Sequence, residues 1–528
     1  MDCAKVSFDG TSPSIEVPHE YNASVEFIDR HLREGRGDRQ ALIDENGRYT
    51  YAELADRVNR AGNALRDLGV EMETRVMLCL LDAVDFPAAF FGAMKVGAVP
   101  IPVNTLLTSR DFDYMLRDSR ARVLVVSEPL YEKFAPILEG QPFLRQVVVA
   151  GADAHGHLRL ADLLQNASPA LDPAPTTSDD VAFWLYTSGT TGGPKGAMHL
   201  HRDLVYTAAT YGVSVLGIEP EDLVFSAAKM FFAYGLGNSL TFPLYVGACT
   251  VGLAGRPTPE SVMRVLREHQ PTIFYGVPTL YGAILADANN NRDSGSQRLR
   301  LCVSAGEALP EEVGRRWEER FGAPILDGIG TTEMLHIFLS NRPGDVRYGT
   351  TGKAVPGYEL RVVGEDGQDV PPGEIGELVV KGGSAAMAYW NKRDKSLASF
   401  HGAWTRTGDK YTCDEAGYYH YCGRSDDMLK VSGQWVSPFE VESALVGHDK
   451  VLEVAVVGHA DEHELVKPKA FVVLKDAADA SDALVQELKD YVKGQLAPYK
   501  YPRWVEFVEG LPKTATGKIQ RFKLRQTP

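Results

Sequence analysis

Short apolar runs alternate with amphipathic stretches along most of the chain, the pattern of parallel strands joined by helices. The segment RVMLCLL at 75–81 predicts a buried strand, DFPAAFFGAMKVG at 85–97 a helix, and AVPIPV at 98–103 the next strand. Residues 299–333 repeat this order, with a strand ending at Ser304 and a helix running from Pro310 to Gly322. We therefore predict an α/β fold with parallel-rich sheets covered by helices.

The pattern changes after about residue 350. Residues 357–382 are rich in turn residues with short β runs, and they predict a small β subdomain. Residues 423–438, GRSDDMLKVSGQWVSP, offer charge and glycine but little core, and we interpret them as a junction. Beyond the junction, short strands and one amphipathic helix predict a compact α+β domain. That helix begins near Ser481, and its apolar face carries Leu484, Leu488, Tyr491, Val492 and Leu496.

Composition narrows the class of protein. A chain of 528 residues is expected to form several domains, and a net charge of −15 without a basic tract disfavours nucleic-acid binding. The longest apolar stretch, residues 76–103, is interrupted by residues such as Asp82 and Pro100, so we expect no membrane span. The start of the chain lacks a signal-peptide pattern, and its six cysteines form no CxxC pair. Reduced thiols and a cytoplasmic location are therefore expected.

The stretch YTSGTTGGPKG at residues 186–196 has the chemistry of a phosphate-binding loop. It misses the Walker spacing, because Pro194 stands where the second glycine is required and Gly196 where the hydroxyl is required. An ordinary flexible surface loop is the alternative interpretation, but the combination of hydroxyls, glycines and a lysine favours phosphate. The groups that could meet an anion are Thr187, Ser188, Gly189, Thr190, Thr191, Gly192 and Lys195.

Three further motifs are weak when taken singly. Lys518 lies in PKTATGKIQR, which could equally be a solvated basic tail. Asp409 in RTGDKY could accept hydrogen bonds from a ribose diol, although such triplets are common in turns. Glu333 follows Thr331 and Thr332, and a carboxylate beside hydroxyls near a polyphosphate suits Mg²⁺.

Taken together and in this order, YTSGTTGGPKG, GIGTTE, RTGDKY, GRSDDMLKVSG and PKTATGKIQR resemble the motifs of the adenylate-forming superfamily. That superfamily contains acyl-CoA synthetases, luciferases and the adenylation domains of nonribosomal peptide synthetases. The resemblance covers essentially the whole chain. It implies an N-terminal adenylation domain at 1–425 and a mobile C-terminal lid domain at 426–528, with Asp426 as the hinge.

The resemblance also implies a role for each motif residue, with ATP, Mg²⁺ and coenzyme A as the ligands. The glycine-rich loop would close on the β- and γ-phosphates of ATP. Thr332 would contact the α-phosphate, Glu333 would hold Mg²⁺, and Lys518 would bridge the carboxylate and the α-phosphate during adenylation. The remaining positions are Gly306, Glu307, Ala308, Asp327 and Gly328 at the adenine, Asp409 and Arg424 at the ribose, and Ser432, Gly433 and Trp435 at the CoA channel.

Two segments, FSAAKMFFAYGLGNSLTFP and GIGTTEMLHIFLSN, are similar to the benzoate–CoA ligase subfamily, in which they line the acyl pocket. The positions carried over are Ala233, Tyr234, Gly328, Gly330, His336 and Ile337. Plain core packing is the alternative for Tyr234, as it is for Phe231 and Phe232, and His336 could be a buried histidine with satisfied hydrogen bonds. Many relatives have a tyrosine where this chain has Ile329, so an aromatic stack on adenine would be lost.

The expected reaction is therefore ATP-dependent activation of benzoate to an acyl-adenylate and its transfer to CoA. A substituted or heteroaryl acid remains an alternative substrate, and loading of a carrier protein remains an alternative second step. The intact lysines and carboxylates argue against a non-catalytic binder. The sequence leaves the oligomeric state open, with a homodimer as one candidate. From the family, Lys518 is also a candidate target of an acetyltransferase, because acetylation would remove its charge.

Overall fold

A computed structural model describes residues 1–8, 10, 12–187, 193–424, 427–431, 434–461, 465–513 and 519–525. No helix within these ranges is both long and apolar enough to cross a membrane.

The strands of the larger part of the chain include short ones that pair only at sheet edges. They are β1 Lys5–Ser7, β2 Ser14–Glu16, β3 Gln40–Asp44, β4 Gly47–Thr50, β5 Arg75–Cys79, β6 Val99–Pro102, β7 Val123–Ser127, β8 Gln146–Ala150, β9 Leu158–Arg159, β10 Val181–Thr187, β11 Lys195–Leu200, β12 Leu223–Ser226, β13 Cys249–Val251, β14 Ile273–Gly276, β15 Leu301–Ser304, β16 Ile325–Gly330, β17 Ile337–Ser340 and β18 Lys353–Ala354.

The remaining strands form the β subdomain and the C-terminal part. They are β19 Glu359–Val363, β20 Gly376–Lys381, β21 Ala388–Tyr389, β22 Phe400–His401, β23 Trp404–Cys413, β24 Tyr419–Arg424, β25 Leu429–Val431, β26 Gln434–Val436, β27 Val451–Ala460, β28 Val466–Leu474 and β29 Trp504–Phe507.

The α-helices alternate with strands, as the hydrophobic pattern predicts. They are α1 Arg30–Arg33, α2 Tyr51–Asp67, α3 Asp85–Lys95, α4 Ser109–Ser119, α5 Ala135–Leu138, α6 Leu160–Asn166, α7 His201–Thr207, α8 Ala233–Leu236, α9 Phe242–Val246, α10 Pro259–His269, α11 Pro278–Ala286, α12 Glu311–Phe321, α13 Arg393–Ser399, α14 Pro438–Val446, α15 Asp482–Gln495 and α16 Arg521–Leu524.

The central sheet has the strand order β18-β17-β16-β15-β14-β12-β13-β3-β4. Its inner strands from β3 to β16 run parallel, and antiparallel strands close both edges. A second sheet, β6-β5-β7-β8-β9, is parallel throughout. The prediction of parallel-rich sheets is confirmed. Parallel strands present their carboxyl ends at one edge, which is where open α/β sheets bind ligands.

Helix boundaries follow local chemistry. α12 begins after Pro310, carries Glu311 and Glu312 in its first turn, and ends at Gly322 with a φ of 69°. Acidic residues at the start and a left-handed glycine at the end are the favoured termini of a helix. The buried Trp317 of this helix packs against Tyr281 of α11, so both helices cover one face of the central sheet.

The predicted β subdomain forms from β19, β20, β22, β23 and β24. The smaller C-terminal part packs α15 against the sheet β27-β28-β29, with Leu484, Leu488 and Val492 buried. Ser481 caps α15, because its side chain accepts a hydrogen bond from the Leu484 N–H. A large N-terminal part and a small α+β C-terminal part therefore match the predicted fold class.

One sequence interpretation is wrong in part. Within residues 423–438, which we interpret as a junction with little core, β25 and β26 form an antiparallel pair. Leu429, Val431 and Val436 are buried in the core of the C-terminal part. These apolar residues are too few and too widely spaced for a strand pattern to emerge from sequence alone.

Candidate active site

The glycine-rich loop joins two antiparallel strands. Thr187 at the end of β10 is the register partner of Lys195 at the start of β11. A Walker loop instead leads from a strand into a helix, so the structure agrees with the spacing argument against that fold. Ser188, Gly189, Thr190, Thr191 and Gly192 lie outside the described residues. Beyond them, the Tyr114 hydroxyl donates to the Pro194 carbonyl at 3.1 Å.

Lys195 lies beside an aromatic ring that the sequence did not single out. Its Nζ is 4.1 Å from the centroid of the Tyr389 ring. Burial lowers the pKa of Lys195, while the nearby Glu333 carboxylate acts in the opposite direction. The Tyr389 hydroxyl donates to Glu333 Oε1 at 2.6 Å. The predicted phosphate lysine and the predicted metal carboxylate therefore meet around one tyrosine.

The turn that carries Thr332 and Glu333 is held by hydrogen bonds from several elements. His199 Nε2 donates to the Thr332 carbonyl at 2.8 Å, and His199 Nδ1 lies 3.0 Å from Asp203 Oδ2. The Ala386 N–H donates to the Glu333 carbonyl at 2.7 Å. His199 and Asp203 are both buried. These bonds fix the direction in which the Thr332 and Glu333 side chains leave the turn.

The positions predicted for adenine lie just after the end of β15 and in the middle of β16, where Asp327 is the register partner of Ser304. Gly306 adopts a φ of 96°, a left-handed conformation that favours glycine. Glu307 and Ala308 follow it and are partly exposed. Asp327 is buried, its Oδ1 has no hydrogen-bond partner among the described residues, and burial raises its pKa. An unpaired buried acceptor at a sheet edge is suited to a ligand that brings its own donor.

The two positions predicted for ribose face each other across a strand pair. Asp409 of β23 and Arg424 of β24 are register partners, and Arg424 Nη1 lies 3.2 Å from Asp409 Oδ1. Arg424 also donates to the Thr407 carbonyl at 3.1 Å. Asp409 is 4% exposed, so the arginine holds a nearly buried carboxylate in place.

The predicted acyl-pocket residues converge between β14, β15, β16 and α8. The Tyr234 hydroxyl lies 3.2 Å from the Gly276 carbonyl and 3.1 Å from the Val303 carbonyl, which lie at or near the ends of β14 and β15. Ala233 precedes it at the start of α8. A Cβ on Gly330 would lie 2.4 Å from the His336 carbonyl oxygen, and a Cβ on Gly328 would lie 3.0 Å from Ile337 Cγ2. Close packing therefore requires glycine at position 330.

His336 is buried, and one of its two ring nitrogens is hydrogen-bonded, while Nδ1 has no partner among the described residues. Its Nε2 lies 3.1 Å from the Tyr234 carbonyl and 3.2 Å from Asn238 Oδ1. Burial lowers the pKa of His336 to about 3, so the ring is neutral at physiological pH. Phe242 packs edge-on at 4.5 Å between ring centroids. The structure thus places His336 behind Tyr234, and its predicted contact with substrate remains a prediction.

The C-terminal part reaches this site. The Ile519 N–H donates to Glu307 Oε1 at 3.0 Å, and Ile519 also forms an isolated β-bridge with Lys513. Lys513 in turn pairs with Glu453 of β27 at 2.7 Å. Lys518, Asp426, Ser432 and Gly433 lie outside the described residues, as does the side chain of Trp435. The described neighbour of Lys518 therefore lies at the predicted nucleotide site.

Sequence reasoning missed Tyr389, His199 and Asp203. Tyr389 reaches Glu333 because β21 pairs with β11, with Tyr389 opposite Ala197. No local sequence motif predicts that strand pairing. His199 and Asp203 have the i, i+4 spacing of side chains on one helical face, although His199 is the penultimate residue of β11. That spacing next to the glycine-rich loop was the available signal.

Fold and site together define a two-domain enzyme of the adenylate-forming class. The chain belongs to the AMP-binding enzyme family, which matches residues 28–390, and the C-terminal domain of that family matches residues 440–518. It is 59% identical over 517 residues to a benzoate–CoA ligase of Thauera aromatica, covering 98% of each chain. It is 50% identical to a 4-hydroxybenzoate–CoA/benzoate–CoA ligase of Rhodopseudomonas palustris, covering 96% of this chain and 94% of the relative.

Solved structures give the same result. A benzoate CoA ligase from Burkholderia xenovorans superposes with a TM-score of 0.90 at 51% identity, covering 96% of this chain and all 100% of that chain. An anthranilate CoA ligase in complex with anthranoyl-AMP superposes with a TM-score of 0.93 at 45% identity, covering 96% and 97%.

Proposed function

We propose that this enzyme activates benzoate with ATP and transfers the benzoyl group to coenzyme A, releasing AMP and pyrophosphate. The observation that carries the proposal is the position of Tyr234. Its hydroxyl is held by backbone carbonyls of β14 and β15, and β15 pairs with β16, the glycine-containing strand that leads directly into the Thr332–Glu333 turn. An aromatic wall facing bare backbone is suited to a flat ring whose carboxylate points toward the nucleotide. The names of the relatives support benzoate as that ring.

The first step joins two anions. A benzoate oxygen attacks the α-phosphorus of ATP, the bond from that phosphorus to the bridging oxygen breaks, and pyrophosphate leaves. In the second step the CoA thiolate attacks the acyl carbon of benzoyl-adenylate, and AMP leaves with the bonding electron pair. Holding both reactants in one site lowers the entropic part of the barrier. Cationic groups near the phosphates stabilise charge as it develops in the transition state.

The side chains at the turn fit a magnesium ion bound together with ATP. Within the described ranges no cluster of three or more His, Cys, Asp or Glu side chains could hold a metal alone. Mg²⁺, however, commonly takes one or two carboxylates together with substrate phosphates and waters. Glu333 is partly exposed at the carboxyl edge of the sheet and would be that carboxylate. When bound, the ion would neutralise phosphate charge.

The remaining roles follow from the family motifs and stay part of the proposal. The loop from Thr187 to Lys195 would grip the β- and γ-phosphates, Asp327 the adenine, and Asp409 with Arg424 the ribose. Lys518 would serve only the adenylation step. Rotation of residues 426–528 about Asp426 would then withdraw Lys518 and bring Ser432, Gly433 and Trp435 to the CoA channel.

The pocket favours an unsubstituted ring over a hydroxylated one. The Tyr234 hydroxyl proton is committed to backbone carbonyls, and His336 Nε2 is committed to Tyr234 O and Asn238. Both groups are therefore occupied as donors to the protein. A ring hydroxyl would itself have to donate to one of the remaining acceptors, the Tyr234 oxygen or His336 Nδ1, and burying it without such a bond costs about 1–3 kcal/mol, so we expect hydroxybenzoates to be poorer substrates. Substituted and heteroaryl benzoates remain the alternative substrate class.

A substrate panel tests the proposal. Pyrophosphate release is measured with benzoate, each monohydroxybenzoate, anthranilate and a pyridinecarboxylate, with ATP, Mg²⁺ and CoA present. We expect benzoate to have the highest kcat/KM. A hydroxybenzoate that surpasses it would overturn the substrate assignment while leaving the reaction class intact. Replacing CoA by a phosphopantetheinylated carrier protein tests the carrier-loading alternative, and a faster reaction with the carrier would support that alternative.

Three other expectations also remain proposals. We place the reaction in the cytoplasm, since the described cysteines are all free thiols. Assembly as a homodimer is one candidate state, and acetylation of Lys518 is proposed from the family resemblance. Size-exclusion chromatography with light scattering tests the first of these two, and mass spectrometry of the protein isolated from cells tests the second.

A further inference from the structure

We infer that Tyr389 is a positioning residue that aims the Glu333 carboxylate at the metal–ATP complex and holds Lys195 beside it. The inference deepens the proposed function and rests on Glu333 acting as the metal carboxylate. It is carried by two contacts of the Tyr389 side chain and by the anchoring of its backbone, and Tyr389 belongs to none of the motifs predicted to bind ligand.

The first contact is with Glu333. The Tyr389 hydroxyl donates to Glu333 Oε1 at 2.6 Å, a short bond of the kind formed by an O–H donor and a carboxylate. Tyr389 is 4% exposed, and its hydroxyl must be the donor in this bond, because a carboxylate oxygen only accepts. With Oε1 engaged in this way, Oε2 is the oxygen offered to a cation.

The second contact is with Lys195. Its ammonium lies over the Tyr389 ring at 4.1 Å from the centroid, a favourable cation–π distance. A ring attracts a cation without neutralising it, so the lysine keeps its full charge for an incoming phosphate. In an ion pair with Glu333, by contrast, both groups would have to be separated before ATP could bind. The ring thus stands between two groups of opposite charge that serve the same ligand.

Further hydrogen bonds anchor the backbone of the tyrosine. Tyr389 lies opposite Ala197 in the β11–β21 ladder, and its N–H donates to Ser396 Oγ at 3.0 Å. The next residue, Trp390, donates its N–H to the Gly196 carbonyl at 2.8 Å. Tyr389 is therefore anchored to the strand that begins with Lys195, and its hydroxyl is anchored to Glu333. A shift of the loop strand relative to the metal carboxylate would therefore strain this side chain as well as the bond from His199 of β11 to the Thr332 carbonyl.

The test separates the role of the Tyr389 hydroxyl from the role of its ring. Tyr389→Phe keeps the ring and removes the hydroxyl, while Tyr389→Leu removes both. Tyr51→Phe is the matched control, because Tyr51 is equally buried and its hydroxyl donates to the Ala248 carbonyl at 2.7 Å in a different part of the core. Melting temperatures of all three variants report folding.

Metal affinity is measured without turnover, from the electron paramagnetic resonance signal of free Mn²⁺ in the presence of α,β-methylene-ATP. Removing an outer-shell partner of a metal ligand typically weakens metal binding about 10- to 100-fold, and we expect that loss for Tyr389→Phe and none for Tyr51→Phe. AMP binding without metal should be unchanged in Tyr389→Phe. Tyr389→Leu should lose a further factor of about 2 to 30 in binding of the methylene analogue, the worth of one cation–π contact.

The outcomes are distinct. If Tyr389→Phe binds metal as well as the wild type does, and Glu333→Gln binds it more weakly, only the role of the Tyr389 hydroxyl is overturned. Equal analogue binding by Tyr389→Leu and Tyr389→Phe would overturn the role of the ring. Unchanged metal affinity in Glu333→Gln would instead remove the metal role proposed for Glu333, on which the inference rests.

Discussion

The backbone N–H of Ile519 donates to the carboxylate of Glu307, and this bond joins the C-terminal part to the predicted adenine edge across 212 residues of sequence. The bond belongs to one domain arrangement, because a rotation of the C-terminal part would break it. Lys518 immediately precedes Ile519, so we interpret the arrangement as the one used for adenylation.

Glu307 is therefore expected to affect one half-reaction. Glu307→Ala removes the acceptor and should slow benzoate-dependent ATP–pyrophosphate exchange about tenfold, the lower end of the cost of losing a hydrogen bond to a charged group. Glu307→Gln keeps an acceptor oxygen and should be milder. Conversion of supplied benzoyl-adenylate and CoA to benzoyl-CoA should be unaffected in both variants. Equal loss in the two half-reactions would show that Glu307 acts on nucleotide binding rather than on docking.

Lys518→Ala should separate the half-reactions more sharply. Loss of a cation that stabilises developing charge on the α-phosphate costs about 10²- to 10³-fold in rate, by analogy with removal of one oxyanion donor. The rate of adenylation, measured by quenched flow as the formation of benzoyl-adenylate, should fall by that factor. Thioester formation from supplied benzoyl-adenylate should continue. A variant that loses both activities while remaining folded would contradict the two-conformation account.

Tyr234→Phe is expected to raise the KM for benzoate about fivefold, the equivalent of about 1 kcal/mol for one hydrogen bond, with the KM for ATP unchanged. Tyr281→Phe is a matched control, because the Tyr281 hydroxyl donates to the same Val303 carbonyl at 2.8 Å from the helix-covered face of the sheet. It should lower stability and leave the KM for benzoate unaltered. An increased KM for benzoate in Tyr281→Phe would mean that the Val303 carbonyl, and not the Tyr234 hydroxyl, shapes the pocket.

Gly330→Ala should damage the pocket through its backbone. The added Cβ would lie 2.4 Å from the His336 carbonyl oxygen, so the strand pair must move apart. Overpacking of this kind lowers the free energy of unfolding by roughly 1–3 kcal/mol, and the KM for benzoate should rise with it.

Gly282→Ala is the control for Gly330→Ala. In the described part of the chain, no heavy atom outside its own helix lies within 4 Å of a Cβ at Gly282 of α11. Alanine in place of a mid-helix glycine stabilises by roughly 0.5–1 kcal/mol. The midpoint of chemical denaturation should therefore shift in opposite directions for the two variants. Destabilisation by Gly282→Ala would show that the space around the added Cβ does not by itself decide the effect.

His336 contributes to the pH dependence of stability. Burial lowers its pKa to about 3 from an ordinary value of 6.5. Between these two pH values the unfolded chain binds a proton that the folded chain does not bind, so stability falls as the pH drops below 6.5. His336→Gln removes this proton uptake, and its melting temperature should fall less steeply between about pH 6.5 and about pH 5. The exposed His401, replaced by Gln, provides the control slope.

The alternation of elements was predictable because buried strands and capped helices leave local signals. The strand ending at Ser304, the helix from Glu311 to Phe321 and the C-terminal helix capped by Ser481 all appear where the pattern places them. The family motifs also identified residues that the fold brings together, such as Asp409 and Arg424. These signals are local in sequence, so one chain is enough to detect them.

What sequence could not supply is tertiary pairing. Tyr389 meets Glu333 only because β21 joins β11, and Ile519 meets Glu307 only when the C-terminal part docks. The direction of the His336 ring depends on Asn238 and Tyr234, which approach it from another helix-rich segment. Such contacts carry no periodicity and no spacing rule.

The hairpin that carries the glycine-rich loop affects how the loop sequence can change among related enzymes. Because Thr187 and Lys195 are register partners, the hydrogen bonds that set the spacing of the loop's ends lie outside the loop itself. A Walker loop leads directly into a helix, so a change in that loop also displaces the helix. We therefore expect the segment between Thr187 and Lys195 to tolerate replacement by a relative's loop, with a change in ATP affinity and an unchanged KM for benzoate.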